Sequence, residues 1–255
     1  MQQLISRNVW SWRTGMHLVS LLLAVLLLAS CASAPKGQVY DPIEKVNRVT
    51  FKFNEYVDRI VLKPLSQGYV ALVPREGRKA VSNFFDNATY VDTIANDFLQ
   101  GKAKRGVHDF GRLLINTTVG IGGLFDPASS IGLVKHDEDF GQTLGVWGFG
   151  PGAYVVVPVY GPNTVRDLPA LATSTLTSAV FWAGFVLAPA VTIPLSVLSV
   201  ADLRSRASNS IRFVNETAMD PYVFTREAWV QHRTYLIYDG HPPLDDDFSD
   251  EGFGE

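Results

Sequence analysis

The segment Asp41–Asn54, DPIEKVNRVTFKFN, begins the folded part of the chain and predicts an α-helix. Asp41 is a favourable N-cap residue, Pro42 suits the first turn, and Glu44 stands at the third position of a capping box. Apolar residues then recur at Ile43, Val46, Val49, Phe53, Val57 and Ile60. This spacing puts them on one helix face, and Pro64 is expected to end the helix because it has no backbone N–H.

The same helical spacing continues downstream of Pro64. We expect a short helix over Leu65–Leu72, separate amphipathic helices around Val81–Phe85, Val91–Leu99 and Val107–Thr117, a helix over Asp202–Asn215, and a last one that begins at Asp220-Pro221. The sequence therefore predicts a mainly α-helical single domain over residues 41–238.

A glycine-rich segment interrupts this helical pattern. It is Asp139–Pro162, DFGQTLGVWGFGPGAYVVVPVYGP. Glycine and proline favour turns, and the run Tyr154–Tyr160 is typical of a β-strand. We expect short extended structure around tight turns here, and no helix.

The longest uncharged stretch is Leu168–Ala201, with 34 residues. It is long enough to cross a bilayer, which takes about 20 apolar residues as a helix. However, Pro189 and Pro194 interrupt it, and proline kinks a helix. Three alternatives remain: a full span, a buried core hairpin, and a kinked pair of helices lying partly in one leaflet. A lipid anchor at the N-terminus would favour the third.

The first thirty residues have the parts of an export signal. Arg7 and Arg13 supply positive charge, and the apolar run Leu18–Leu28 is too short to cross a bilayer. The run leads through small residues into Cys31, the only cysteine, in a pattern that resembles a bacterial lipobox. We therefore expect residues 1–30 to be a lipoprotein signal peptide, Cys31 to carry covalent lipid, and residues 31–40 to be a tether. Ala32 after the cysteine resembles an outer-membrane sorting signal.

Charge is sparse, because only 18% of the residues are charged and 47% are hydrophobic. Soluble domains average about 25% charged residues, so this composition suits a protein that exposes apolar surface to lipid. The segment 239–255 contains seven acidic residues and no lysine or arginine, which predicts a disordered acidic tail. The rest of the mature chain is close to neutral, so the charge gives no reason to expect nucleic-acid binding.

No pattern of catalytic residues is recognisable. The histidines do not occur at the spacing of a zinc-protease motif, and no nucleophile elbow or phosphate loop is found. The segment His136–Asp139 contains metal-ligand residue types but is interpreted as a solvated loop. We expect no enzyme activity, no metal, and no cofactor other than the lipid on Cys31.

Several motifs resemble the MlaA (VacJ) family of phospholipid-transport lipoproteins. They are Asp41–Glu44, Asn47-Arg48, Phe51–Asn54, Lys63-Pro64, Asn83–Asn87, Phe98–Gly101, Asn116–Gly123, Asp139–Gly145, Tyr160–Pro162, Arg166-Asp167 and Asp220–Tyr222. They extend over about residues 40–238. The resemblance implies a ring-shaped helical domain, partly embedded in one leaflet of the outer membrane, with an amphipathic channel through the ring.

The resemblance also implies a function. Phospholipid misplaced in the outer leaflet would be removed and passed to a periplasmic lipid-binding carrier, and trimeric porins would be partners. We expect the glycine-rich segment to line or gate the channel with Phe140, Thr143, Leu144, Trp147 and Tyr154. Phe53 and Asn54 are expected to act as a gate at its base. The alternatives are that the glycines serve only turns, and that the protein only scaffolds porins or is a lipase-like enzyme.

Overall fold

A computed structural model of the chain describes residues 39–243. The signal peptide, Cys31 and the acidic residues beyond 243 lie outside the described residues. The described part is mainly helical. Its elements are α1 (Glu44–Val57), a π-helical turn (Asp58–Leu62), α2 (Lys63–Leu72), α3 (Arg75–Leu99), α4 (Ala103–Thr118), α5 (Pro127–Ser130), α6 (Phe140–Val146), β1 (Tyr154–Val157), β2 (Gly161–Thr164), α7 (Leu168–Thr177), α8 (Ala179–Val186), α9 (Pro189–Arg206), α10 (Ser208–Thr217) and α11 (Pro221–Ile237).

Contacts between these elements form a closed circuit. Helix α2 packs on α9, α9 on α3, and α3 on α4, α6 and α7. Helix α6 in turn packs on α11, α11 on β2, and β1 on α1, which continues into α2. The expected mainly helical single domain is confirmed, and this circuit brings the first and last helices together.

The two strands form an antiparallel hairpin between α11 and α1. Tyr154 pairs with Thr164 and Val157 with Gly161. The strand is shorter than the expected run Tyr154–Tyr160, because the chain turns after Val157 and Val159 takes a left-handed conformation with φ 69°. Tyr154 and Val156 are buried against Tyr222 of α11, so the hairpin closes a small apolar core.

Three helix boundaries differ from the expectation. Pro64 does not end the first helix, because the π-helical turn Asp58–Leu62 runs directly into α2 and places Pro64 in the first turn of α2, where proline is tolerated. The two pieces expected between Val81 and Leu99 form one helix, α3. The helix expected over Asp202–Asn215 is divided between α9 and α10 at Ala207.

The expectation of no helix within Asp139–Pro162 is wrong, because Phe140–Val146 forms α6. The Asp139 carboxylate accepts a hydrogen bond from the Gln142 backbone N–H at 2.9 Å and caps the helix. Two glycines of α6 serve close packing. A Cβ on Gly141 would lie 2.4 Å from Asp167 Oδ1, and a Cβ on Gly145 would lie 2.7 Å from Ile237 Cδ1.

The uncharged stretch forms α7, α8 and most of α9. Helices α7 and α8 are joined at Ser178 and bent by 54°, and together they have the length and apolar composition of a membrane span. Within residues 39–243 no single helix meets that test. Side chains of α8 are largely exposed, with Phe185 at 72% and Val186 at 84%.

Candidate functional site

The interior of the described chain is polar. Charged residues are rarely fully buried in proteins unless they are paired, yet several are buried here. They are Asp92, Asp97, Asp109, Arg112, Glu138, Asp167, Asp202 and Arg233. The apolar stripe of α1, by contrast, faces outward, with Val46 at 60% and Val49 at 69% exposure.

Arg233 of α11 connects the buried carboxylate of Asp167 with the half-buried carboxylate of Asp139. Its Nη2 lies 2.8 Å from Asp139 Oδ1 and 2.9 Å from Asp167 Oδ1. Arg166 also contacts Asp167, with Nε 3.0 Å from Oδ1. Burial opposes the charged form of Asp139, but the hydrogen bonds from Arg233 outweigh it and hold the pKa of Asp139 below its usual value. These bonds join α11 to the first residue of the glycine-rich segment and to Asp167, five residues after its end.

A second polar cluster lies between α3 and α4. The carboxylate of Asp109 accepts a hydrogen bond from Tyr90 Oη at 2.9 Å and contacts His136 Nδ1 at 2.9 Å. Asp97 is fully buried, and Arg105 Nε lies 2.5 Å from its Oδ1. Burial, together with the neighbouring Asp109, raises the pKa of Asp97 to about 6. This cluster therefore holds a carboxyl group that titrates close to neutral pH.

The same cluster binds the first residue of the expected acidic tail. Asp239 Oδ1 lies 2.7 Å from both Lys102 Nζ and Arg105 Nη1. Asp239 therefore belongs to the folded domain, which corrects the expected boundary at that residue. The prediction of disorder for the residues beyond 243 lies outside the described chain.

A cavity of about 420 Å³ lies between α3, α6, α7 and α11. Its lining is formed by Thr89, Asp92, Thr93, Asp137, Glu138, Asp139, Gln142, Ser174, Trp229, His232, Arg233 and Leu236. Three buried polar atoms of this lining have no hydrogen-bond partner in the described chain: Gln142 Oε1, Trp229 Nε1 and Arg233 Nε. Buried polar groups are normally paired, so this cavity is the candidate binding site.

Two carboxylates of the cavity have no cation partner within the described chain, and of these Asp92 is buried while Asp137 is exposed. Ser174 Oγ donates to Asp92 Oδ2 at 2.6 Å, and Asn96 Nδ2 lies 3.4 Å from Asp92 Oδ1. Among residues 39–243, no ion pair involves Asp92. Burial raises the pKa of Asp92, as expected of a carboxyl group without a positive partner.

The structure places Thr143 and Tyr154 in the interior of the domain, and their expected role in a channel stays a prediction. Both are fully buried. Thr143 Oγ1 donates to Asn96 Oδ1 at 2.7 Å, and Tyr154 belongs to the apolar core with Tyr222. Their side chains contact protein on all sides, so they stabilise the frame.

The other three expected channel residues share one face of α6. Phe140, Leu144 and Trp147 are spaced four and three residues apart, which aligns them along a helix. The rings of Phe140 and Trp147 meet edge to face at 6.2 Å, and Trp147 is half-exposed. Trp147 Nε1 donates to the Leu99 carbonyl at 3.1 Å. None of the three belongs to the cavity lining, and their role in a channel stays a prediction.

The expected gate residues lie at the contact between α1 and the hairpin. Phe53 is half-exposed. Asn54 Nδ2 donates to the Val157 carbonyl at 3.0 Å, and its Oδ1 accepts from the Val159 N–H at 2.8 Å. Asn54 thus binds the backbone of the hairpin turn, and its role as a gate stays a prediction.

Asn47, which was not among the expected site residues, makes the same kind of contact with the hairpin backbone, seven residues before Asn54. Asn47 Nδ2 donates to the Tyr154 carbonyl at 2.9 Å, and its Oδ1 accepts from the Val156 N–H at 2.9 Å. Seven residues of helix rise about 10.5 Å, and three residues of strand extend about 10 Å. The two asparagines therefore match two successive sites on the strand. We call this pair the asparagine clasp.

Sequence reasoning also missed the polar lining of the cavity. Asp92, Gln142, Trp229 and Arg233 come from three separate helices and form no local motif. Asp92 stands inside the apolar pattern Val91–Leu99, and a charge within such a pattern was the one available indication of a buried polar site.

The polar interior and apolar exterior define a class of protein. A helical domain that buries charges around a cavity and exposes large apolar side chains is typical of proteins that work in contact with lipid. The sequence matches the MlaA lipoprotein family over residues 39–236. The chain belongs to this family, as its motifs predicted.

Relatives and one solved structure support the assignment. The chain is 31% identical over 235 residues to the Escherichia coli intermembrane phospholipid transport system lipoprotein MlaA, covering 88% of this chain and 90% of the relative. It is 30% identical over 230 residues to the protein of that name from Haemophilus influenzae, covering 88% and 91%. An uncharacterised protein from Rickettsia bellii is 36% identical over 203 residues, covering 77% and 76%. A solved structure, reported in work on the structural basis for maintenance of bacterial outer membrane lipid asymmetry, superposes with a TM-score of 0.66 at 32% identity, covering 77% and 98%.

Proposed function

We propose that this protein is an outer-membrane lipoprotein that removes mislocalised phospholipids from the outer leaflet and passes them to a periplasmic lipid-binding carrier. The observation that carries the proposal is a cavity whose lining contains buried polar groups, in a domain that exposes large apolar side chains. A phospholipid has a charged head and apolar tails, and burying an unpaired charge is costly. A passage for it therefore needs polar groups within an apolar surrounding.

The apolar segment α7–α9 supports a position within one leaflet. Trp182, Phe185 and Ile193 are more than half exposed, and the bend at Ser178 keeps α7 and α8 from forming one straight helix. In this proposal the segment lies among the acyl chains, and lipid on Cys31 adds a second anchor. More than one anchoring element makes membrane attachment stable.

The protein supplies no energy source in this proposal and acts without catalysis. A soluble carrier would accept the lipid, and trimeric porins would hold the protein in the outer membrane. These partners follow from the resemblance to the family.

A deletion strain complemented with this chain tests the proposal. Surface-exposed phospholipid, measured by enzymatic labelling of intact cells, should fall to the normal level with the wild-type chain. Leu144→Arg or Trp147→Asp should leave it high at normal protein level, because a charge would be placed on the exposed face of α6. The matched controls are Leu144→Met and Trp147→Phe, which should complement.

Two outcomes would contradict parts of this account. If both charged variants keep outer-leaflet phospholipid low, the face of α6 does not contact the lipid path. If the deletion itself leaves surface phospholipid unchanged while porin assembly is altered, the protein is a porin scaffold and not a transporter. Release of fatty acid from phospholipid by the purified chain would indicate an enzyme instead.

A further inference from the structure

The cavity has more negative than positive groups in its lining, and this excess bears on which lipid head group it can bind. This inference rests on the proposed function and deepens it. Four carboxylates line the cavity, at Asp92, Asp137, Glu138 and Asp139, against one guanidinium, that of Arg233. An anionic ligand as a whole would meet an excess of negative charge here.

Two of these carboxylates already have cations. Glu138 Oε1 lies 3.3 Å from Lys102 Nζ and also contacts Arg105. Asp139 is bound by Arg233. Asp92 is as buried as Glu138, at 6% exposure, but its hydrogen bonds come from uncharged groups. Asp137, the fourth carboxylate, is exposed to solvent. A buried carboxylate without a cation is costly, and a cationic group of a ligand would relieve that cost.

Unpaired N–H donors line the same cavity. Arg233 is 5% exposed, yet its Nε has no partner within the described chain, and the same holds for the buried Nε1 of Trp229. Both groups can donate and cannot accept. An anionic oxygen, such as that of a phosphodiester, is a strong partner for such N–H donors.

We propose that this cavity binds the zwitterionic head group of an amine-bearing phospholipid, with its ammonium at Asp92 and its phosphate at Trp229 Nε1 and Arg233 Nε. The cavity volume of about 420 Å³ lies within the range of small-molecule sites. The protein then prefers phosphatidylethanolamine to phosphatidylglycerol, because phosphatidylglycerol has the phosphate but no ammonium.

The test uses the purified full chain in non-ionic detergent with equal amounts of phosphatidylethanolamine and phosphatidylglycerol of matched acyl chains. Lipid bound to the protein is quantified by mass spectrometry. We expect about ten-fold enrichment of phosphatidylethanolamine in the wild type, the size expected of one charge-assisted contact. Asp92→Asn should bring the ratio close to one, while Glu76→Gln, an exposed carboxylate on the same helix, should leave it unchanged.

Trp229→Phe tests the phosphate contact separately. It should weaken binding of both lipids about three-fold, for the loss of one neutral donor, and leave their ratio unchanged. Soluble glycerophosphoethanolamine should displace lipid from the wild type more effectively than glycerophosphoglycerol. This competition needs no variant, so the inference can be tested even if Asp92→Asn fails to fold.

The outcomes separate the two proposals. Equal binding of the two lipids by the wild type overturns the head-group inference and leaves the proposed transport function standing. Binding of neither lipid overturns both. An unchanged ratio in folded Asp92→Asn, or an equal loss in Glu76→Gln, removes Asp92 from the assignment.

Discussion

The interior around α11 buries charged side chains, whereas the outer face of α8 exposes large apolar ones. At the interior end, Arg233 is 5% exposed and joins Asp139 to Asp167. On the outer face, Trp182 and Phe185 are 56% and 72% exposed. A water-soluble domain arranges these residue types the other way round. This difference is what the proposed position of α8 among acyl chains requires, with polar groups of a ligand contacting the protein from within.

Removing the central cation of the interior should have the largest effect. Arg233→Met would take the shared cation from half-buried Asp139 and buried Asp167, and would leave Asp167 with Arg166 alone. We expect the free energy of unfolding in detergent micelles to fall by about 4 kcal/mol, measured by denaturant titration. Arg212→Met, an exposed arginine of α10, is the control and should cost little. A similar loss in both variants would mean that the interior charges are not tightly coupled.

The outer face should respond to charge through membrane binding. In a Cys31→Ser background, which has no lipid anchor, Phe185→Asp should weaken binding to phospholipid vesicles by up to about 3 kcal/mol, because a carboxylate is costly in hydrocarbon. Co-sedimentation measures this. Phe185→Leu keeps the apolar surface and should bind like its parent. Undiminished binding of the aspartate variant would show that α8 faces water or another protein.

The polar interior should also give a pH dependence of stability. The pKa of Asp97 is about 6 in the folded protein, above the value of about 3.9 for an exposed aspartate. The folded state therefore binds this proton more tightly, and the contribution of Asp97 to stability is fully present below about pH 4. As pH rises from 4 to 7, the free energy of unfolding should fall by up to about 2.5 kcal/mol through this group. Asp97→Asn should show a smaller fall in thermal or denaturant unfolding, and identical pH profiles would contradict the assignment.

The asparagine clasp should show the smallest effect, graded along its length. Asn47→Ala should cost about 2 kcal/mol, because it leaves buried backbone groups of Tyr154 and Val156 unpaired. Asn54→Ala should cost less, since its partners near Val159 are exposed to solvent. Hydrogen exchange gives a local measurement: Asn47→Ala should accelerate the Val156 amide, and Asn54→Ala the Val159 amide. Equal acceleration at both sites would show that the hairpin opens as one unit.

Helical spacing predicted most of the fold because the period of 3.6 residues is a local property. The last helix begins at Asp220-Pro221 as expected, with Asp220 as its N-cap. The expected cap at Asp41 is wrong: the first helix begins at Glu44 with Ile43 as its N-cap and no side-chain cap, because the Asp41 carboxylate instead binds Asn47 and Tyr222. The predicted helix end at Pro64 is wrong, because a π-helical turn leads directly into the next helix and places Pro64 in its first turn. The glycines of α6 misled for another reason: Gly141 and Gly145 are explained by neighbours that are distant in sequence, at Asp167 and Ile237.

The site was less predictable than the fold. Phe140, Thr143, Leu144 and Trp147 are expected to act together because they are close in sequence. The helix instead buries Thr143, half-buries Phe140 and Leu144, and leaves Trp147 exposed. The cavity is formed by pairs that no local pattern can show, such as Asp92 and Arg233, which are brought together only when α3 and α11 pack around α6 and α7.

The matched spacing of Asn47 and Asn54 has a consequence for how the chain can vary in length. Inserting one residue between them would rotate the second amide by about 100° around the helix axis and move it away from the strand. An insertion in β1 would likewise shift one carbonyl out of reach while the other stayed bound. The spacing of the two asparagines therefore constrains the lengths of the helix and of the strand together. Length changes among relatives should fall in the loops on either side, before Asp41 or between Val146 and Tyr154.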